Sequence, residues 1–212
     1  FCKRRGYLTA CPTNLGTGIR VSAMLHLPGL VLSEQINQII QAVNKLGLAV
    51  RGLHGEGTEA LGNVFQVSNQ MTLGETESDI VERLNKVLLQ IIDHEENARG
   101  KLLENKAKMV YNHIGRAYGI LANSHSISSK ETMNLLSLFR LGIDLSLFPG
   151  NKPALTEELF IITQPAHLQK TRAGKLSAEK RDILRANLLR SRLLKVDRPA
   201  TPDTEKTEEN GE

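Results

Sequence analysis

The chain has 212 residues, 40% of them hydrophobic, 24% charged and 4% aromatic, with no Trp and a net charge of +4. That length allows one substantial core, or one domain with an appendage. The scarcity of aromatics excludes a base-stacking platform for single-stranded nucleic acid, no apolar run approaches the ~20 residues of a membrane span, and no charged-then-apolar leader opens the sequence.

The first expected element is a strand over Gly18 to Leu27. Ile19, Val21, Ala23 and Leu25 alternate there with Arg20, Ser22, Met24 and His26. Pro28 and Gly29 end it. Ser33 suits the N-cap of a helix carrying Ile36, Ile39, Ile40 and Val43, and Gly47 suits its stop. Leu48 to Leu53 reads as a second strand entering a turn at Gly55 and Gly57, and Val64 to Asn69 as a third. From Glu77 a helix places Ile80, Leu84, Val87, Leu88, Ile91 and Ile92 on one stripe. A polar helix follows near Ala98 to Tyr118, and Ser129 caps another with Met133, Leu136 and Phe139. Pro153 and Pro165 punctuate an irregular stretch, after which Ser177 opens a basic helix over roughly Ala178 to Lys195.

Strands early and helices late predict an α+β fold: an antiparallel sheet flanked by helices, followed by a C-terminal helical region. The expected division is a domain over 1–149, a helical region over 150–196 and a disordered tail over 197–212, rich in Pro, Thr and Glu. There are no internal repeats. From Asp197 onward stand six acids and two bases, so the body carries 25 basic against 17 acidic residues, a net of +8. A basic body suits nucleotides, phosphorylated partners or nucleic acid, or is an ordinary solvated surface. Nucleic acid is the weakest of these readings, since the basic residues lack aromatic partners and a DNA-binding motif. Two cysteines, Cys2 and Cys11, are too few for a disulfide scaffold and fit a reducing cytoplasm. The six histidines show no close ligand spacing, so no metal site is expected.

Two short segments concentrate the chemistry: Cys11-Pro-Thr-Asn-Leu-Gly-Thr-Gly-Ile-Arg20 and Arg51-Gly-Leu-His-Gly-Glu-Gly57. Guanidiniums are planar, permanently charged forks that match phosphate oxygens. Arg20 and Arg51, from neighbouring strands, would supply the positioning and positive charge that phosphoryl transfer needs, or would be two surface ion-pair arginines. Glu56, between glycines, could bind a guanidinium bidentately and take its proton, or be an exposed loop acid. Cys11 would need nearby positive charge to populate its thiolate, or would be a small buried hydrophobe. Gly16-Thr-Gly18 lacks the Gly-Lys-Ser/Thr of a Walker loop. Farther on, Arg181 and Arg185 share a helix face with Asp182 nearby. Such a cluster could hold a ligand carrying both phosphate and guanidinium, such as phosphoarginine, or be a solvated basic helix.

These segments, with Glu59-Ala-Leu-Gly-Asn63 and Ser68-Asn-Gln70, resemble the ATP:guanido phosphotransferases (phosphagen kinases). Arg181-Asp-Ile-Leu-Arg-Ala186 matches the Arg-Asp-x-x-Arg-Ala motif of their bacterial protein-arginine kinases, and the likeness runs from about Gly6 to Lys195. The resemblance implies the guanidino-kinase catalytic fold and transfer of the γ-phosphate of magnesium ATP to arginine side chains of proteins. It implies that ATP is lined by Arg20, Val21, Ser22, Ala23, Met24, Arg51, Gly52, Leu53, His54, Gly55 and Glu56. Glu56 would engage the target guanidinium with Cys11 nearby. Arg181, Asp182, Ile183, Leu184, Arg185 and Ala186 would form an allosteric phosphoarginine pocket. Homodimers, stress-repressor substrates and the Clp protease machinery are the implied partners, without direct nucleic-acid or membrane contact. In that family further phosphate-binding arginines and a second carboxylate precede the first motif. The opening Phe1-Cys-Lys-Arg-Arg-Gly6, without Met, therefore reads as the start of a piece lacking that part. Gly57 stands where kinases of free arginine carry a bulkier residue, as a site open to a protein side chain would require. Kinases of free guanidino metabolites, and a non-catalytic phosphoarginine-binding fragment, are the alternatives.

Overall fold

The computed structural model describes residues 2–4, 6, 9, 11–52, 60–172 and 174–200. The period-two patterns form β1 (Ser22–His26), β2 (Leu48–Gly52) and β3 (Val64–Asn69). They make one antiparallel sheet in the order β1-β3-β2. Ser68 pairs with Ser22 on one side and Ala49 on the other, and Gln66 with Met24 and Arg51. These residues share one face. The opposite face presents Phe65, Val67 and Leu48, all buried.

Two helices separate β1 from β2: α1 (Pro28–Leu32) and α2 (Ile36–Lys45), the latter ending before Gly47 in the left-handed region at φ +74°. The sequence reading has no element at α1. The turn forms because Pro28 occupies a first-turn position, where its missing N–H costs nothing. Its open amides are then bound by a distant carboxylate. Glu95, 4% exposed, accepts the Gly29 and Leu30 N–H groups, each at 2.8 Å. Arg99 Nε donates to the same carboxylate at 2.6 Å. A Cβ on Gly29 would lie 2.8 Å from Arg99 Cγ and 3.0 Å from Glu95 Oε1, so only glycine fits.

Both acid and base stand on α3 (Glu77–Asn123). Most of the stripe read from the sequence is its buried face: Leu84, Val87 and Ile91 close the core with Leu30, Val43, Phe65 and Val67, whereas Ile92 is exposed. Thr76 caps its start. The Thr76 hydroxyl and amide both donate to the Asp79 carboxylate and hold its pKa below the usual value. The sequence predicts two helices over this stretch, and the span indeed holds two helical segments, separated by a kink at Lys106, whose dihedrals are non-helical (φ −139°). The compact units divide within it, at Leu102/Leu103. The sequence reading divides the chain at 149/150 instead, on Pro149-Gly150.

The second unit adds α4 (Ser129–Asp144), α5 (Pro153–Ile162), α6 (Pro165–Lys170) and α7 (Ala178–Leu193). Ser128, one residue before the expected cap, accepts the Glu131 N–H, and Ser177 caps α7 as expected. The stretch expected to be irregular is helical. Pro153 and Pro165 each begin a helix, in the one place where the ring is tolerated. The core packs Phe139 against Phe148 edge-on, centroids 4.7 Å apart, and Tyr118 against Phe148 at 5.5 Å. Tyr118 OH donates to Val196 O and Ala200 N to Leu147 O, so the end of the expected helical region and the first residues of the expected tail, 197–200, are anchored. Residues 201–212, the rest of that tail, lie outside the described residues.

The Glu95 clamp gives a direct test. Glu95→Ala leaves two helix-start amides in the core without their acceptor and takes the Glu95 partner from the Arg99 guanidinium, and should cost about 2–4 kcal/mol. Glu95→Gln, which keeps an acceptor and the shape, should cost less. The urea midpoint of the transition that includes the first unit measures both, and an unchanged midpoint in the Ala variant would refute the clamp.

Candidate functional site

The segment before β1 has no strand partner over most of its length, so its backbone groups need other partners. Asn69, at the end of β3, supplies them. Its Oδ1 accepts Val21 N–H at 2.8 Å, and its Nδ2 donates to Ile19 O at 3.0 Å and Met71 O at 3.4 Å. Thr72, 3% exposed, continues the seam: its hydroxyl donates to Leu15 O at 2.5 Å and accepts Gly18 N–H at 3.3 Å. Gly16 forms a parallel bridge with Thr72 at φ +92°, and a Cβ there would lie 2.2 Å from Thr72 O. This is the physical reason for glycine in the first motif.

So held, Arg20 reaches along the sheet, and its Nη2 donates to Ser68 Oγ at 3.2 Å. Ser68 is 1% exposed and lies between the two edge strands. Arg51 pairs with Gln66 on the same face. Both guanidiniums are exposed and line one cleft of about 340 Å³ with Asn14, Gly18 and Thr72. The arginines do not come from adjacent strands, as the sequence reading has it, but from opposite sides of β3. No carboxylate stands among the cleft's described lining residues, so it offers permanent positive charge to an anion.

The other site candidates fall unevenly. Ser22 accepts from Gln66 Nε2 at 3.1 Å, and Met24 is half-exposed on the cleft face; Val21 and Ala23 face the other way. Gly52 ends β2. Cys11 is exposed at the N-cap of the turn Pro12–Asn14 and is absent from the cleft's described lining, whereas Asn14 belongs to it. Leu53, His54, Gly55 and Glu56 lie outside the described residues. No group of three or more His, Cys, Asp or Glu able to hold a metal occurs among the described residues. Ser68, Asn69 and Thr72 carry the site's framework; the sequence reading names Ser68 and Asn69 only as part of a strand and of a family-like segment, with no role in the site, and does not name Thr72. One signal was available: Asn69 falls at an apolar-face position of its strand, where a polar side chain needs buried partners.

In the second unit Arg185 is 1% exposed. Its Nε donates to Thr163 O and its Nη1 to Ile127 O, both at 2.8 Å, and Nη1 also pairs with Asp182 at 2.5 Å. It ties α7 to the end of α5 and to the turn before α4. Arg181 is partly exposed, with Nη1 donating to Leu176 O at 2.8 Å. Of the expected fork, then, Arg185 and Asp182 already hold protein groups. Ile183 is exposed, Leu184 partly buried and Ala186 buried.

Comparison with known proteins places both units. Residues 1–98 match the family model "ATP:guanido phosphotransferase, C-terminal catalytic domain", and residues 107–205 match "Protein-arginine kinase McsB C-terminal domain". A protein-arginine kinase of Halalkalibacterium halodurans is 54% identical over 91% of this chain and 54% of its own length. Those of Bacillus licheniformis and Bacillus subtilis are 53% and 52% identical, again over 91% of this chain and 53% of theirs. The chain spans about half the length of these curated relatives. It belongs to the ATP:guanido phosphotransferase family, and within it groups with the proteins named protein-arginine kinase.

Proposed function

We propose that this chain is the portion of a protein-arginine kinase that holds ATP and the target guanidinium, and that the protein transfers the γ-phosphoryl group to arginine side chains of other proteins. The observation that carries the reading is the convergence of Arg20 and Arg51 from opposite sides of β3 on one cleft without a lining carboxylate. Two permanent charges fixed over phosphate oxygens stabilise the charge of a transferring phosphoryl group without reorganising. Ser68 holds one of them in place. Val21 to Met24 and Gly52 to Gly55 would complete the nucleotide's surroundings. A guanidinium nitrogen attacks the γ-phosphorus, the bond to the ADP oxygen breaks, and Glu56 orients the guanidinium and takes its proton. Cys11 would stand near the target guanidinium. The cleft suits a polyanion, so Mg²⁺ would be held mainly by the nucleotide's own phosphates.

Arg181 to Ala186 would bind phosphoarginine as a regulatory ligand, with Arg181 as the accessible cation. Both cysteines are exposed and outside any disulfide, as a reducing cytoplasm permits. Homodimerisation, and marking of stress repressors for Clp-dependent degradation, complete the proposal. No helix of the described residues is long and apolar enough to cross a membrane.

In the full-length protein, Arg51→Gln should lower phosphoarginine production about 10²–10³-fold, and Glu56→Gln about 10²–10⁴-fold. Quantitative mass spectrometry of a protein substrate reads both, and undiminished activity in Glu56→Gln would remove its assigned role. Faster turnover of free arginine than of a protein substrate would reject the protein-arginine specificity. Calorimetry with phosphoarginine on this chain tests the second site. Arg181→Ala should weaken binding about tenfold or more while leaving the fold intact, and equal affinity in that variant would place the ligand elsewhere.

A further inference from the structure

On the side of α7 that faces α6, Leu184, Leu188 and Arg192 stand one turn apart and line a groove of about 750 Å³ with Ile162, Leu168 and Lys170. His167 and Arg172 also border it. It is separate from Arg185, whose bonds go to the ends of α5 and the turn before α4. The groove's rim is cationic. Arg192 is half-exposed and pairs only at the surface with Glu158, at 2.8 Å. Neither Lys170 nor Arg172 has a carboxylate partner among the described residues. Unpaired cations beside a concave surface favour an anionic occupant.

We propose that the occupant is this chain's own C-terminal segment, residues 201–212. That segment carries Asp203, Glu205, Glu208, Glu209 and Glu212 against a single base, Lys206, so its charge complements the rim. The connection is short. Ala200 is fixed by its N–H to Leu147 O, and Arg192 lies eight residues before it, at most ~29 Å away along an extended chain. Twelve residues extend to ~40 Å, enough to reach the groove from that anchor. Tethering gives the segment an effective concentration on the order of millimolar at the groove. A weak electrostatic contact, inadequate between separate molecules, is sufficient under those conditions. An acidic ligand from outside must displace the segment first.

Carbodiimide coupling tests this, because it forms an amide only between a carboxylate and a lysine already in contact. In the intact chain, mass spectrometry should find Lys170 joined to Glu205, Glu208 or Glu209, at a yield independent of protein concentration. Raising salt from about 0.05 M to about 0.5 M should lower that yield roughly fivefold. Arg172→Glu, at an exposed position, should do the same without changing the unfolding midpoint. Tail links spread evenly over Lys130, Lys152 and Lys170 would overturn the proposal. So would Lys170 links found only between isotopically distinct copies, which would put the segment on a second chain. Absence of any tail link at low salt would overturn it as well.

Discussion

The cleft exists because one buried carboxamide ties three stretches of chain together. Asn69 accepts from Val21 and donates to Ile19 and Met71. A carboxamide offers the one acceptor and two donors that these three bonds need. An aspartate would accept but leave two carbonyls unpaired, and a leucine would satisfy none. Each buried group left open costs about 1–3 kcal/mol, a large share of a domain's stability. The bridge from Gly16 to Thr72 extends the same seam away from the sheet. At its other end β1 runs into α1, whose amides Glu95 binds. An edge strand of five residues is thus pinned at both ends by side chains distant in sequence. Arg20 takes its position from that pinning, and Ser68 fixes the direction of its guanidinium.

The sheet is the most legible part of this fold. Val64 to Asn69 is a strand at the residues the alternation marks, and β2 covers Leu48 to Gly52 of the expected Leu48 to Leu53, Leu53 lying outside the described residues. Alternation reports burial of one face, and one face is what Leu48, Phe65 and Val67 bury. The helical half is less legible, because its signals are ambiguous at the residue level. Proline at 153 and 165 reads as a breaker, whereas proline at the first turn of a helix is a starter. The choice depends on the residues after the proline, and Ala154 to Ile162 is helix-compatible throughout. Turn α1 leaves no periodic trace, since five residues are too few to show a period. Its stabiliser, Glu95, looks in the sequence like one more surface acid on a polar helix.

The site divides along the same line. Arg20 and Arg51 are legible because their motifs are local, and the structure brings them to one cleft. The framework that holds them is not, because Asn69 and Thr72 reach partners about fifty residues away in sequence. Sequence distance hides a hydrogen bond far better than it hides a residue type. Their order across the sheet is also beyond reach: three antiparallel strands can be arranged in more than one way, and only the pairing with β3 shows that the two arginines flank it.

Arginine illustrates why residue type and spacing underdetermine role. On α7, Arg181, Arg185 and Arg192 look alike in the sequence, each on a basic helix within reach of an acid. Arg185 is buried, and a guanidinium in that setting must have its donors satisfied by protein. The carbonyls of Thr163 and Ile127 do this, so its charge braces three segments. Arg192 is screened by water, where its pairing with Glu158 contributes about 0–1 kcal/mol and can be exchanged for another anion. Arg181 lies between these extremes, with one nitrogen bound to Leu176 O and the side chain partly exposed. The gradient follows from where each falls around the helix relative to the ends of α5 and α6. A motif of two arginines and an aspartate can therefore be scaffold at one member and remain accessible at another. The brace is what keeps the accessible member in a fixed place, since α7 cannot shift along its neighbours without breaking the bonds of Arg185.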